Sequence, residues 1–110
     1  MSTTDTVFEG ILQECHVDYV GLWEIVWQLN HVKMEKSKIF EVTMTIIERL
    51  LADGIIIAGN FDTRVDDNFH EWQMPVEEII AKIKHDWMKL GREPTGGDIV
   101  WFTAKDSKAS

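Results

Sequence analysis

Few groups in this sequence could carry chemistry. The histidines are His16, His31, His70 and His85, Cys15 is the single cysteine, and carboxylates stand side by side at Asp66, Asp67 and at Glu77, Glu78. A helical zinc-hydrolase motif needs a second histidine four residues after the first, and "HEWQM" from His70 to Met74 has only the first. His70, Glu71 and Asp67 could meet in space, but an ordinary surface histidine is the expected state, so no metal is assigned. Cys15 and His16 are adjacent and project about 100° apart on a helix, so they cannot serve as nucleophile and base for one another. Glu77 and Glu78 fail as a facing acid pair for the same reason. There is no serine at a nucleophile elbow, no G-x-G-x-x-G and no Walker motif. The glycines of "GREPTGGDIVWFTAK", Gly91 to Lys105, follow a helix and precede a strand, the reverse of a phosphate loop, and Asp98 would repel a phosphate. That loop returns the chain to a sheet. No catalytic, cofactor-binding or metal residue is assigned, and a small enzyme with an unrecognised site remains a lesser alternative.

Charge is the more informative property. The 110 residues carry a net charge of −8. Residues 1–32 hold Asp5, Glu9, Glu14, Asp18 and Glu24 with no lysine or arginine, and residues 61–78 hold Asp62, Asp66, Asp67, Glu71, Glu77 and Glu78 against Arg64 alone. These two segments exceed the whole net charge, while the rest is balanced or slightly basic. Such a surface aids solubility or meets a basic partner. Nucleic-acid binding draws its affinity from lysine and arginine on phosphates and is disfavoured. "IIIAG" is the longest apolar run and too short to span a bilayer, and the N-terminus lacks a secretory pattern, so a cytoplasmic protein without membrane contact is expected.

One domain over residues 1–110, with a flexible tail at 105–110, must position these groups. A first helix is capped by Thr4 or Asp5 and carries Val7, Phe8, Ile11, Leu12 and Cys15 inward. Asp18 caps a second helix over "YVGLWEIVWQLN", with Val20, Trp23, Val26 and Trp27 on one stripe and Gly21 in its first turn. Ser37 caps a third, exposing Glu41, Thr45, Glu48 and Ala52 and ending at Gly54. Ile55–Phe61 is a strand, 62–74 a long polar loop, and Pro75 opens a helix that Gly91 closes. Ile99–Ala104 is a second strand, antiparallel to the first, although the intervening helix also permits a parallel crossover. Trp23, Trp27, Trp87 and Trp101 are expected in the core. Trp72 is either a plug on the sheet or an exposed anchor.

This α+β order of three helices followed by strand–loop–helix–strand resembles a winged-helix domain with a helix inserted in the wing. The segments "GLWEIVWQL", "LLADGIIIAGNFD" and "GREPTGGDIVWF" also resemble a group of small bacterial proteins without an assigned activity. A DNA-reading winged helix would need arginine and lysine where the third helix has Glu41, Thr45 and Glu48, so a transcriptional regulator is the second expectation. By analogy with immunity proteins, the first is an acidic, non-catalytic module that covers the basic active site of a nuclease toxin. Its contact residues are expected at Asp62, Asp66, Asp67, Phe69, Glu71, Trp72, Glu77 and Glu78, with no cofactor, on a monomer or weak homodimer.

Overall fold

The computed structural model describes residues 2–61, 69–95 and 99–105. Four helices, α1 (Thr3–Cys15), α2 (Leu22–His31), α3 (Lys36–Ala52) and α4 (Val76–Leu90), accompany four strands, β1 (Val20–Gly21), β2 (Ile56–Phe61), β3 (Phe69–Glu71) and β4 (Trp101–Ala104). The strands form one antiparallel sheet in the order β1-β4-β2-β3. The α+β class and the antiparallel pairing of the two long strands are as expected. Two short strands, β1 and β3, are additions to the expected order.

The helices start where backbone geometry and caps allow, not always where the sequence pointed. Ser2, rather than Thr4 or Asp5, caps α1: its Oγ accepts from the Asp5 N–H at 3.1 Å. Asp5 instead pairs with Arg49 of α3 at 2.8 Å, and the Arg49 guanidinium holds its carboxyl below the usual range. Glu35 stands at the N-cap of α3, one residue before Lys36, so Ser37 is already helical. The largest shift is at α2. Asp18 turns its carboxylate to the Tyr19 N–H at 2.7 Å, Val20 and Gly21 are extended, and the helix begins at Leu22. A two-residue strand leaves no period to read, and the pairing of Val20 with Phe102 and Gly21 with Trp101 decides the conformation.

The core is drawn from every helix. Leu22, Ile25, Val26 and Leu29 of α2 meet Ile46, Ile47 and Leu50 of α3, with Val7, Ile11 and Cys15 from α1 and Ile79, Ile83 and Trp87 from α4. Val20, Ile56, Ala58, Phe102 and Ala104 supply the sheet's contribution, and Val100, just before β4, is buried with them. Thr103, also buried, donates its hydroxyl to the Cys15 carbonyl at 3.4 Å and ties β4 to the end of α1. Gly54 and Gly91 end α3 and α4 at φ of 73° and 72°, where a side chain would be strained. Glu41, Thr45, Glu48 and Ala52 face solvent, as the helical period predicted. Lys105, one residue past β4, donates its N–H to the Ile55 carbonyl at 2.9 Å; the rest of the expected tail, residues 106–110, lies outside the described residues.

The tryptophans depart from expectation. Trp87 is buried, but Trp23 and Trp101 are only half-buried and Trp27 is 55% exposed. A 10-residue helix buries one stripe, and Leu22, Ile25, Val26 and Leu29 already fill it. Trp23 and Trp27 fall on its border.

Candidate functional site

The segment expected to meet a partner divides into three parts. Asp62, Asp66 and Asp67 lie outside the described residues. Phe69 and Glu71 stand on β3, opposite Phe61 and Gly59. Phe69 packs on Tyr19 and Phe61 with ring centroids 5.1 and 5.5 Å away. Trp72 continues that edge, donating its backbone N–H to the Ala58 carbonyl at 2.9 Å and its indole N–H to the Asn60 side chain. It is half-buried against the core, with Lys82 above the ring, so of the two alternatives it is the plug. Glu77 and Glu78 are exposed in the first turn of α4, where the helix dipole favours them.

The sheet carries an aromatic surface on the side away from Phe102. Trp101 stands between Gly21 of β1 and Gly59 of β2 in the pairing register. Its ring meets Phe61 edge-on at 5.7 Å, and Phe61 meets Tyr19 at 4.9 Å. The glycines make room for this surface. A Cβ on Gly59 would fall 2.3 Å from the His70 carbonyl oxygen, and one on Gly21 would fall 2.7 Å from the indole of Trp23 and 3.4 Å from that of Trp101. The two indoles therefore converge over Gly21, and the surface passes from the sheet onto α2.

There it opens into a cleft of about 340 Å³ lined by Glu14, Trp23, Glu24, Trp27 and Gln28. Trp23 and Trp27 are one helical turn apart on α2, as are Glu24 and Gln28 on the adjoining row, while Glu14 comes from α1. Trp27 is held from behind by His31, stacked at 5.0 Å with rings 10° from parallel. Glu24 lies within hydrogen-bonding reach of Glu14. Burial, then that bond and the charges of Glu14 and Asp18, push the Glu24 carboxyl up to about 7. Glu24 therefore holds its proton well above the ordinary glutamate range.

No family model matches the chain, and no curated protein or solved structure matches it.

The cleft has two chemical properties. It offers indole faces next to carboxylates, the combination that receives an organic cation. It holds the one cysteine of the chain inert: Cys15 is buried, and burial, then Glu14 and Glu24, push its thiol up to about 12. Among the described residues no group of three or more histidine, cysteine, aspartate and glutamate side chains is placed to hold a metal, and no helix is long and apolar enough to cross a membrane.

The sequence pattern did not single out the cleft. Glu14 and Glu24 are ten residues apart across a turn whose shape no motif encodes. The available signal was polarity on the row beside the tryptophans: Glu24 and Gln28 adjoin Trp23 and Trp27, which marks a helix border rather than a fully buried helix.

Proposed function

We propose that the chain is an acidic protein-binding module that occupies a basic surface of another protein, and that its specific form is an immunity-type inhibitor covering the lysine- and arginine-lined cleft of a nuclease. The observation that carries this reading is the α1–α2 face. It is built entirely from a 32-residue stretch with five acids and no lysine or arginine, and it presents Trp27 at 55% exposure beside Glu14 and Glu24. An exposed tryptophan framed by carboxylates is the composition of an interface hot spot facing positive charge: the ring supplies affinity and the acids supply steering. The 62–78 segment adds a second acidic region, with Glu77 and Glu78 exposed on α4.

A nuclease cleft is cationic because its substrate is a polyanion, so a protein that presents carboxylates competes for the same groups. The inhibitor needs no chemistry of its own. The reading is also compatible with Glu41 and Glu48, exposed on α3, which would repel a DNA backbone.

The test is co-expression with a basic nuclease domain encoded beside this chain. Restored growth, together with a complex seen by calorimetry whose association slows in high salt, is the expected result. Retardation of random duplex DNA by the isolated protein at low salt, weakening steeply as salt rises, would instead establish nucleic-acid binding and remove the inhibitor reading.

A further inference from the structure

We infer that the Glu14–Trp23–Glu24–Trp27 cleft is a receptor for one organic cation, the guanidinium of an arginine side chain presented by a basic partner. The inference rests on the protein-binding reading above and names the chemistry of one contact in it.

Four observations converge. The cleft, at about 340 Å³, exceeds the needs of a water molecule and has the dimensions of a side-chain pocket. Its two indoles are held open: Trp27 is backed by His31, and Trp23 occupies space left by the missing side chain of Gly21. The carboxylates come from two helices, so they approach an occupant from different directions. The charged groups acting on Glu24 are Glu14 from α1 and Asp18 from the α1–β1 connection, β1 contributes no ionisable side chain, and the Cys15 thiol stays neutral. His31, behind Trp27, adds positive charge only when protonated. In this setting the charges of Glu14 and Asp18 disfavour a charged Glu24, and a cation placed between the carboxylates offsets that repulsion.

Guanidinium fits better than ammonium. It is planar and weakly hydrated, stacks on an indole and donates to carboxylates along its edge at the same time. A lysine ammonium would meet the charge requirement but leave the indole face without a planar partner. Binding exchanges the proton held by Glu24 for the guanidinium charge, so complex formation releases protons around neutral pH and weakens as pH falls.

The experiment uses the whole chain and three blocked tripeptides of the form Gly-X-Gly, with X as arginine, lysine or citrulline. The indole N–H resonances of Trp23 and Trp27 are followed by NMR. The arginine peptide is expected to shift both signals at about pH 8 and to bind about tenfold more weakly at about pH 5.5. Lysine is expected to bind more weakly than arginine, and citrulline, neutral with nearly the same shape, to leave the signals in place. Glu24→Gln and Trp27→Ala should each reduce arginine binding while the remaining spectrum shows an intact fold. Equal shifts from arginine and citrulline, no shift from arginine, or undiminished binding by Glu24→Gln would overturn the inference. Failure of the function reading looks different: the arginine peptide binds, but the chain neither complexes nor neutralises the basic nuclease domain. Neutralisation by the chain that Glu24→Gln and Trp27→Ala leave unchanged would keep the function and overturn the cleft.

Discussion

Individual residues carry two kinds of tension here, and each has a stability consequence. Glu24 holds a proton in the folded protein up to about 7, whereas an unfolded glutamate loses it near its ordinary value. The folded state therefore binds more protons in the window between them. The stability associated with that proton is fully present below the ordinary glutamate range and is lost as pH rises through about 7. Glu24→Gln should flatten this part of the pH–stability curve and, after allowance for solvent screening at a partly exposed pair, add about 1 kcal/mol at alkaline pH, read by denaturant melts. Thr43 is the other case. Its hydroxyl is buried in α3 and has no hydrogen-bond partner among the described residues. Thr43→Val replaces that hydroxyl by a methyl group and should raise stability by about 1 kcal/mol. Trp72→Ala, by contrast, removes a ring packed on the core and the donor to Asn60, so a loss of about 2–3 kcal/mol with little change in partner affinity is expected.

Among elements, α2 and the sheet depend on one another through Gly21. Its φ of −80° suits any residue, so the case for glycine is space rather than backbone freedom. Gly21→Ala would push the Trp23 indole out of the cleft while leaving β1 able to pair. About 1 kcal/mol of stability should be lost, with a larger proportional loss of arginine-peptide binding, and the two losses can be compared in one set of melts and NMR titrations. Long periodic elements were legible in the sequence: α3 and α4 stand within a few residues of their expected limits, with Gly54 and Gly91 closing them. β1 and β3 were not, because two- and three-residue strands exist only through their partners. The burial of the tryptophans was misjudged for a related reason. Helical period says which residues share a stripe, but how many stripes are covered depends on what packs against the helix, and only one side of α2 is covered. The cleft inherits that blindness, since Glu14 and Glu24 meet through the geometry of the α1–β1–α2 corner.

At the scale of the whole molecule, the dominant quantity is the net charge of −8. Self-repulsion on this scale opposes compaction, and salt screens it, so the melting temperature should rise as salt is added from low ionic strength, while association with a basic partner slows over the same range. The opposite signs make a useful pair of measurements, because a simple salting effect on the fold would not produce both. Removal of residues 98–110 is more drastic. β4 lies between β1 and β2, so its loss divides the sheet and takes Phe102 and Val100 from the core. Such a truncated chain should show no cooperative unfolding transition.

The position of β4 also sets an order of events in time. The strand that joins β1 to β2 is separated from Val20 by most of the chain, and all four helices precede it. Until it arrives, β1 and β2 have no bridge between them, and filling the slot takes two distant pairings, Phe102 with Ala58 of β2 and with Val20 of β1, both slow kinds of contact. The helices and the local β2–β3 pairing can form beforehand. Strand insertion is then the closing step of folding, and contacts made by Phe102 belong to the late side of the barrier. Phe102→Leu should accelerate unfolding far more than it slows refolding, leaving a protein that forms nearly as fast as before but persists for less time.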